Sequence, residues 1–197
     1  MQQWQRYLAE LLGTFVLVFV GTTAIVGGLR SGIPPLLIAP FAFGLALLAG
    51  LYAFAEVSGG HYNPAVSIGL FLDRRIEVSD FVGYIIMQFV GATLASLCLL
   101  VATSKHDVAQ TATTPAAGDG TAFLIELVFT AIFVTVILQS SKSASISASE
   151  MLPAACACIP CCSSGDLGML PIGSVGIRMA GGTLREGTSG SLHNLWS

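Results

Sequence analysis

The chain has 197 residues, of which 54% are hydrophobic and 10% charged, with a mean hydropathy of +0.80 and a formal net charge of −3. An ordinary soluble domain carries about 25% charged residues, so this is the composition of an integral membrane protein. The net charge is small and the basic residues lie between apolar blocks instead of forming a patch, which excludes a nucleic-acid binder.

In chain order, polar Met1 to Tyr7 precedes an apolar run from Leu8 to Val26, about long enough to span the ~30 Å hydrocarbon core. The run is too long for a signal peptide and lacks a cleavage site, so it reads as the first span. It contains Glu10, and two readings of that acid stand: a carboxylate facing the bundle interior, or an interfacial acid near the helix end. A turn with Gly27, Gly28, Arg30, Gly32, Pro34 and Pro35 leads to a second span, Leu36 to Ala55, with Pro40 in its first turns.

Ser58-Gly59-Gly60-His61-Tyr62-Asn63-Pro64-Ala65-Val66-Ser67 follows. Two glycines permit a sharp turn, Asn63 is the natural N-cap, and Pro64 suits the first helical position because its missing N–H would be unpaired there. Ala65 to Leu72 then gives two apolar turns, too short to cross a bilayer, which predicts a re-entrant half-helix. A charged loop, Asp73 to Glu77, precedes a third span, Phe81 to Val101, carrying Gln88 and the small pair Gly91-Ala92. The segment Thr103 to Gly120 reads as a loop, and Ala122 to Leu138, with Glu126, as a fourth span.

This arrangement puts Arg6, Arg74, Arg75 and Lys142 on one side and Arg30 and Lys105 on the other, which by the positive-inside rule places the N-terminus in the cytoplasm. Glu10 is followed at the fourth position by Thr14, and Glu126 by Thr130. The second copy begins three spans after the first and so enters from the opposite side, the inverted repeat that places a transport site at the midplane.

The segment SGGHYNPAVS, a preceding span with Ala42-Phe43-Gly44, a following span with Tyr84, Gln88 and Gly91-Ala92, and the opening Ala9-Glu10-Leu11-Leu12-Gly13-Thr14-Phe15 together resemble the first half of an aquaporin of the major intrinsic protein family. The resemblance covers residues from about 5 to 140. It implies an all-α membrane protein, an inverted-repeat helical bundle with a re-entrant half-helix, and a single file of water meeting Asn side chains where two half-helices abut. By that resemblance Asn63, Pro64 and Ala65 are the pore motif, the backbone carbonyls of Gly59, Gly60 and His61 line the pore, and Phe43 belongs to the selectivity filter. Glu10 and Glu126 resemble the acids that brace the re-entrant loops. Phe43 also admits the reading of an aromatic facing lipid or core. His61 has no second ligand or carboxylate at useful spacing, so neither a metal nor a catalytic role is expected, and no cofactor is implied. The family's tetramers make a homotetramer in the cell membrane the expected assembly.

The second half departs from the pattern. Repeating the Glu10-to-Asn63 interval after Glu126 predicts an Asn-Pro near position 179, where the sequence reads Gly176-Ile177-Arg178-Met179-Ala180; the chain's asparagines are Asn63 and Asn194. No run after Leu138 is long enough to span unaided. Cys156, Cys158, Cys161 and Cys162 crowd together without a usual zinc spacing; surface thiols or palmitoylation sites are the alternatives. Glu186 to Trp196 again resembles the family, which suggests a shifted reading frame from about Ser141 to Glu186. Residues 141–197 are therefore expected to be a degenerate or frame-shifted remnant, with 1–140 as the intact part. Two functions follow: a passive channel for water or other small neutral solutes, or a non-conducting relative acting as a membrane interaction protein. Paired catalytic groups are absent, so an enzyme is not expected.

Overall fold

A computed structural model describes residues 2–111 and 119–140. The expectations placed on residues 141–197, including the cysteine cluster, the second motif near position 179 and Lys142, lie outside the described residues. Among the described residues six helices run in order: α1 (Gln3–Arg30), α2 (Pro35–Ser58), α3 (Pro64–Leu72), α4 (Val78–Ala102), α5 (Lys105–Gln110) and α6 (Asp119–Ser140). By length and composition α1, α2, α4 and the Phe123–Ser140 part of α6 can cross a membrane. Each of these helices extends beyond both ends of the apolar run that predicts it.

The nine residues of α3 amount to roughly 13 Å at 1.5 Å per residue, less than half the hydrocarbon thickness. Its start is where the sequence places it. Asn63 is the N-cap, its side-chain oxygen accepting from the Ala65 N–H at 2.8 Å, with Pro64 at the first helical position. It ends in a Schellman motif: Arg74 adopts φ 59°, its N–H donates to the Phe71 carbonyl, and the Arg75 N–H donates to that of Leu70. Val66 and Leu70 bury this short helix against Leu47, Leu51 and Ala55 of α2 and Phe133 and Ile137 of α6.

Helix α1 is the hub, packing along both α2 and α4. In lipid the apolar surfaces gain nothing by leaving solvent, so contact rests on close packing and interhelical hydrogen bonds. Gly91 of α4 lies where a Cβ would stand 2.4 Å from the Leu11 backbone carbonyl oxygen, and Gly21 of α1 where a Cβ would stand 2.2 Å from the Phe43 ring. An ion pair marks each end of the bundle. Arg6 meets Asp80 at 2.7 Å at one end, and Arg30 meets Asp107 at 2.8 Å at the other.

The segment 103–120 was expected to be a loop throughout, but it contains α5. Ser104 caps this six-residue helix and Asp107 returns the bond to the Ser104 backbone N–H, a capping box. The Ser104 hydroxyl and then Arg30 hold the Asp107 carboxyl below the usual carboxylate range, which ties α5 to the end of α1. Substituting Gly91→Ala forces a Cβ into backbone and is expected to cost about 1–3 kcal/mol by overpacking, read as a lower unfolding midpoint in detergent. Gly27→Ala, which has open space around it, should leave the midpoint unchanged or slightly higher; equal midpoints for both variants would refute this α1–α4 contact.

Candidate functional site

The segment joining α2 to α3 is irregular backbone, and its N–H groups need partners. Gly59 (φ 94°) and Gly60 (φ 70°) use the left-handed region open to glycine, and Tyr62 adopts it too at φ 49°. For a tyrosine that conformation is costly and persists only when its surroundings over-determine it. Here they do. The Tyr62 ring fills the space beside Gly13, where a Cβ would stand 2.1 Å from the ring, and its hydroxyl donates to the Gly50 carbonyl at 3.0 Å.

Its N–H is held by Glu10, which is fully buried at 0% exposure. Glu10 Oε1 accepts from the Ser58 hydroxyl at 2.6 Å and the His61 N–H at 3.0 Å. Oε2 accepts from the Tyr62 N–H at 2.8 Å and from Gln88 Nε2 at 2.8 Å. Ser58 Oγ in turn accepts from the Gly60 N–H at 3.2 Å. Three successive backbone N–H groups are thereby satisfied by a single carboxylate and the serine bound to it. Of the two readings of Glu10, the interior one describes its position.

His61 is buried with its Nδ1 3.0 Å from Ser67 Oγ, which also accepts from Gln88 Nε2 at 3.0 Å; its ring stands edge-on to Tyr84 at 4.9 Å. Its side chain therefore belongs to the packing of the loop. Gln88 thus bridges Glu10 of α1 and Ser67 of α3. On the outer side, Tyr84 donates to the Ser58 carbonyl at 2.7 Å and accepts from Arg6 Nε at 3.1 Å.

Of the residues singled out in the sequence, Glu10, Gly59, Gly60, His61, Asn63, Pro64 and Ala65 come together around this loop. Phe43 lies elsewhere in the core, 3% exposed, its ring over Gly21. Glu126 is half-buried on α6, and the second loop that it would brace lies outside the described residues. Sequence reasoning overlooked Ser58, Ser67 and Tyr62. Ser58 and Ser67 bound the motif on either side, and small hydroxyls flanking a glycine turn are a usable signal. Tyr62 gives none, because neither its left-handed backbone nor its cleft is encoded nearby.

The family model described as Major intrinsic protein matches residues 1–180. Glycerol uptake facilitator protein-like 6 of Lactiplantibacillus plantarum is 42% identical over 143 residues, 71% of this chain and 64% of that protein. An aquaporin Z of Photorhabdus laumondii is 38% identical over 153 residues, 70% of this chain and 65% of that protein. The chain thus spans less than two thirds of the length of these curated relatives. The aquaglyceroporin structure from Plasmodium falciparum shares the fold, with a TM-score of 0.74 over 91% of this chain and 81% of that one at 24% identity.

Glu10→Gln keeps the shape but turns an amide N–H₂ toward donors. It is expected to strand at least one of them, at about 1–3 kcal/mol per unpaired buried donor, and to lower the unfolding midpoint in detergent markedly. Tyr62→Phe removes only the bond to Gly50 and should cost about 1 kcal/mol. A Glu10→Gln midpoint no lower than that of Tyr62→Phe would contradict the bracing geometry.

Proposed function

Because the chain belongs to the major intrinsic protein family, we propose that it is a passive membrane channel for water and other small neutral solutes. The observation that carries this reading is a nine-residue half-helix whose N-terminus, capped by Asn63, is held among the spanning helices through Glu10. The positive end of its dipole, about half a charge, opposes cations and protons while neutral molecules pass. In this proposal the Asn63 amide donates to solute oxygen. The carbonyls of Gly59, Gly60 and His61, whose N–H groups are engaged within the protein, accept from it. Phe43 narrows the path, and Glu126 braces a second loop as Glu10 braces the first. The relatives' names divide between water and glycerol, and Phe43, the aromatic usual in water channels by family resemblance, favours water. The chain acts in this reading as a multi-pass protein of the cell membrane with a cytoplasmic N-terminus, assembled as a homotetramer.

A second reading has one observation in its favour: the sequence carries a single Asn-Pro-Ala, and its other asparagine, Asn194, is not followed by proline. A chain with one such half-helix would be a non-conducting relative that interacts with other membrane proteins.

Stopped-flow shrinkage of proteoliposomes separates the two. Osmotic permeability clearly above that of protein-free vesicles, and lowered several-fold by Asn63→Asp, is expected of the channel. Permeability equal to lipid alone, with folded protein in the vesicles, would assign the non-conducting reading.

A further inference from the structure

Away from the re-entrant loop, at the end of the bundle where α1 and α4 begin, a cavity of about 500 Å³ is lined by Gln3, Arg6, Arg75, Ile76, Glu77 and Asp80. Asp80 is 4% exposed. Its Oδ2 takes Arg6 Nη1 at 2.7 Å, but its buried Oδ1 has no hydrogen-bond partner among the described residues. Arg75 shows the converse. One of its Nη atoms meets Asp73 at 2.7 Å, while the other, Nη1, is buried without a partner among the described residues. Both side chains line this cavity, and each carries a buried polar atom without a partner among the described residues, an arrangement that is costly.

A second cavity, of about 620 Å³, adjoins this one and shares Ile76 and Glu77 with it. Its other lining residues are Phe71, Leu72, Arg74 and Val78, with Leu72 and Val78 well exposed. A charged hollow of mixed sign thus opens beside a more apolar one, at the rim of membrane-crossing helices. We propose that this pair of cavities binds a phospholipid with a primary ammonium headgroup, of the phosphatidylethanolamine type. The ammonium donates to the Asp80 carboxylate and the phosphodiester accepts from the Arg75 guanidinium, each side chain turning its buried, unmet atom to the headgroup, and the start of an acyl chain lies along Leu72 and Val78. A choline headgroup has no N–H and leaves Asp80 unmet. A phosphatidylglycerol headgroup brings a hydroxyl donor but sets its net negative charge against Asp80 and Glu77. Arg6, which holds Asp80 in place, also donates to Tyr84, and Tyr84 to the Ser58 carbonyl, so the site is joined by hydrogen bonds to the loop that carries Asn63. The assignment needs only a membrane protein and is independent of whether the chain conducts.

The test is native mass spectrometry of the full chain in detergent, titrated with phosphatidylethanolamine and phosphatidylcholine of identical acyl chains. Phosphatidylethanolamine is expected to bind about tenfold tighter, the low end for one charged hydrogen bond. Asp80→Asn should abolish most of that preference, whereas Arg75→Gln, which removes a donor to the phosphodiester that both lipids carry and leaves the Arg6–Asp80 pair intact, should weaken both lipids several-fold with the preference kept and the unfolding midpoint measured free of lipid unchanged. Equal binding of the two lipids would overturn the proposal, as would a preference that survives Asp80→Asn or binding that Arg75→Gln leaves unchanged. Competition by chain-free glycerophosphoethanolamine at the same concentration as the lipid would overturn the role given to the apolar cavity.

Discussion

Backbone that is neither helix nor strand is tolerated at membrane depth only where it is buried in protein or lines a water-filled cavity. In the segment between α2 and α3, three successive N–H groups find their partners in one carboxylate and the serine bound to it. Glu10 would be an expensive residue in a spanning helix if it stood alone; it is stable here because four donors converge on its two oxygens. The exchange is reciprocal, since the loop needs an acceptor as much as the acid needs donors. The position of Asn63 at the start of α3 follows from it, two and one residues beyond the His61 and Tyr62 N–H groups that Glu10 holds.

Close approach of the helices is the second requirement. Gly13 admits the Tyr62 ring, Gly21 the Phe43 ring and Gly91 the backbone of α1. These contacts fix the distance between α1 and its neighbours, and with it whether Gln88 of α4 reaches both Glu10 and Ser67. Hydrogen bonding and packing are thus not separable contributions in this bundle. A side chain added at one of these glycines would move a helix and stretch the bonds around the carboxylate.

Much of this was legible in the sequence because the signals are local. Asn63-Pro64 marks the start of α3, four long apolar runs mark the spans, and an acid in the first of them suggests an interior partner. What was not legible depends on residues far apart in the chain. Nothing near Arg6 indicates that Asp80 and Tyr84 will stand beside it. Nothing near Tyr62 indicates a left-handed backbone, which follows from a pocket made by Gly13 and Gly50. Helix α5 was missed for a different reason: it is short and polar, so hydropathy is silent, although Ser104 and Asp107 at capping-box spacing could have revealed it. The roles assigned to Phe43 and Glu126 rest on family resemblance, since burial alone distinguishes neither from an ordinary packed residue.

All of the hydrogen bonds that hold the re-entrant loop to Glu10, Gln88, Tyr84 and Gly50 are made within residues 10–88. During synthesis, the polar backbone of the loop can therefore be enclosed as soon as α4 has entered the bilayer, while the later residues are still in the ribosome. Biogenesis of this half does not have to wait for a second half to shield it. A lesion downstream would leave behind a membrane-inserted fragment with its loop already closed, where one at Glu10 would expose bare amides to lipid from the start.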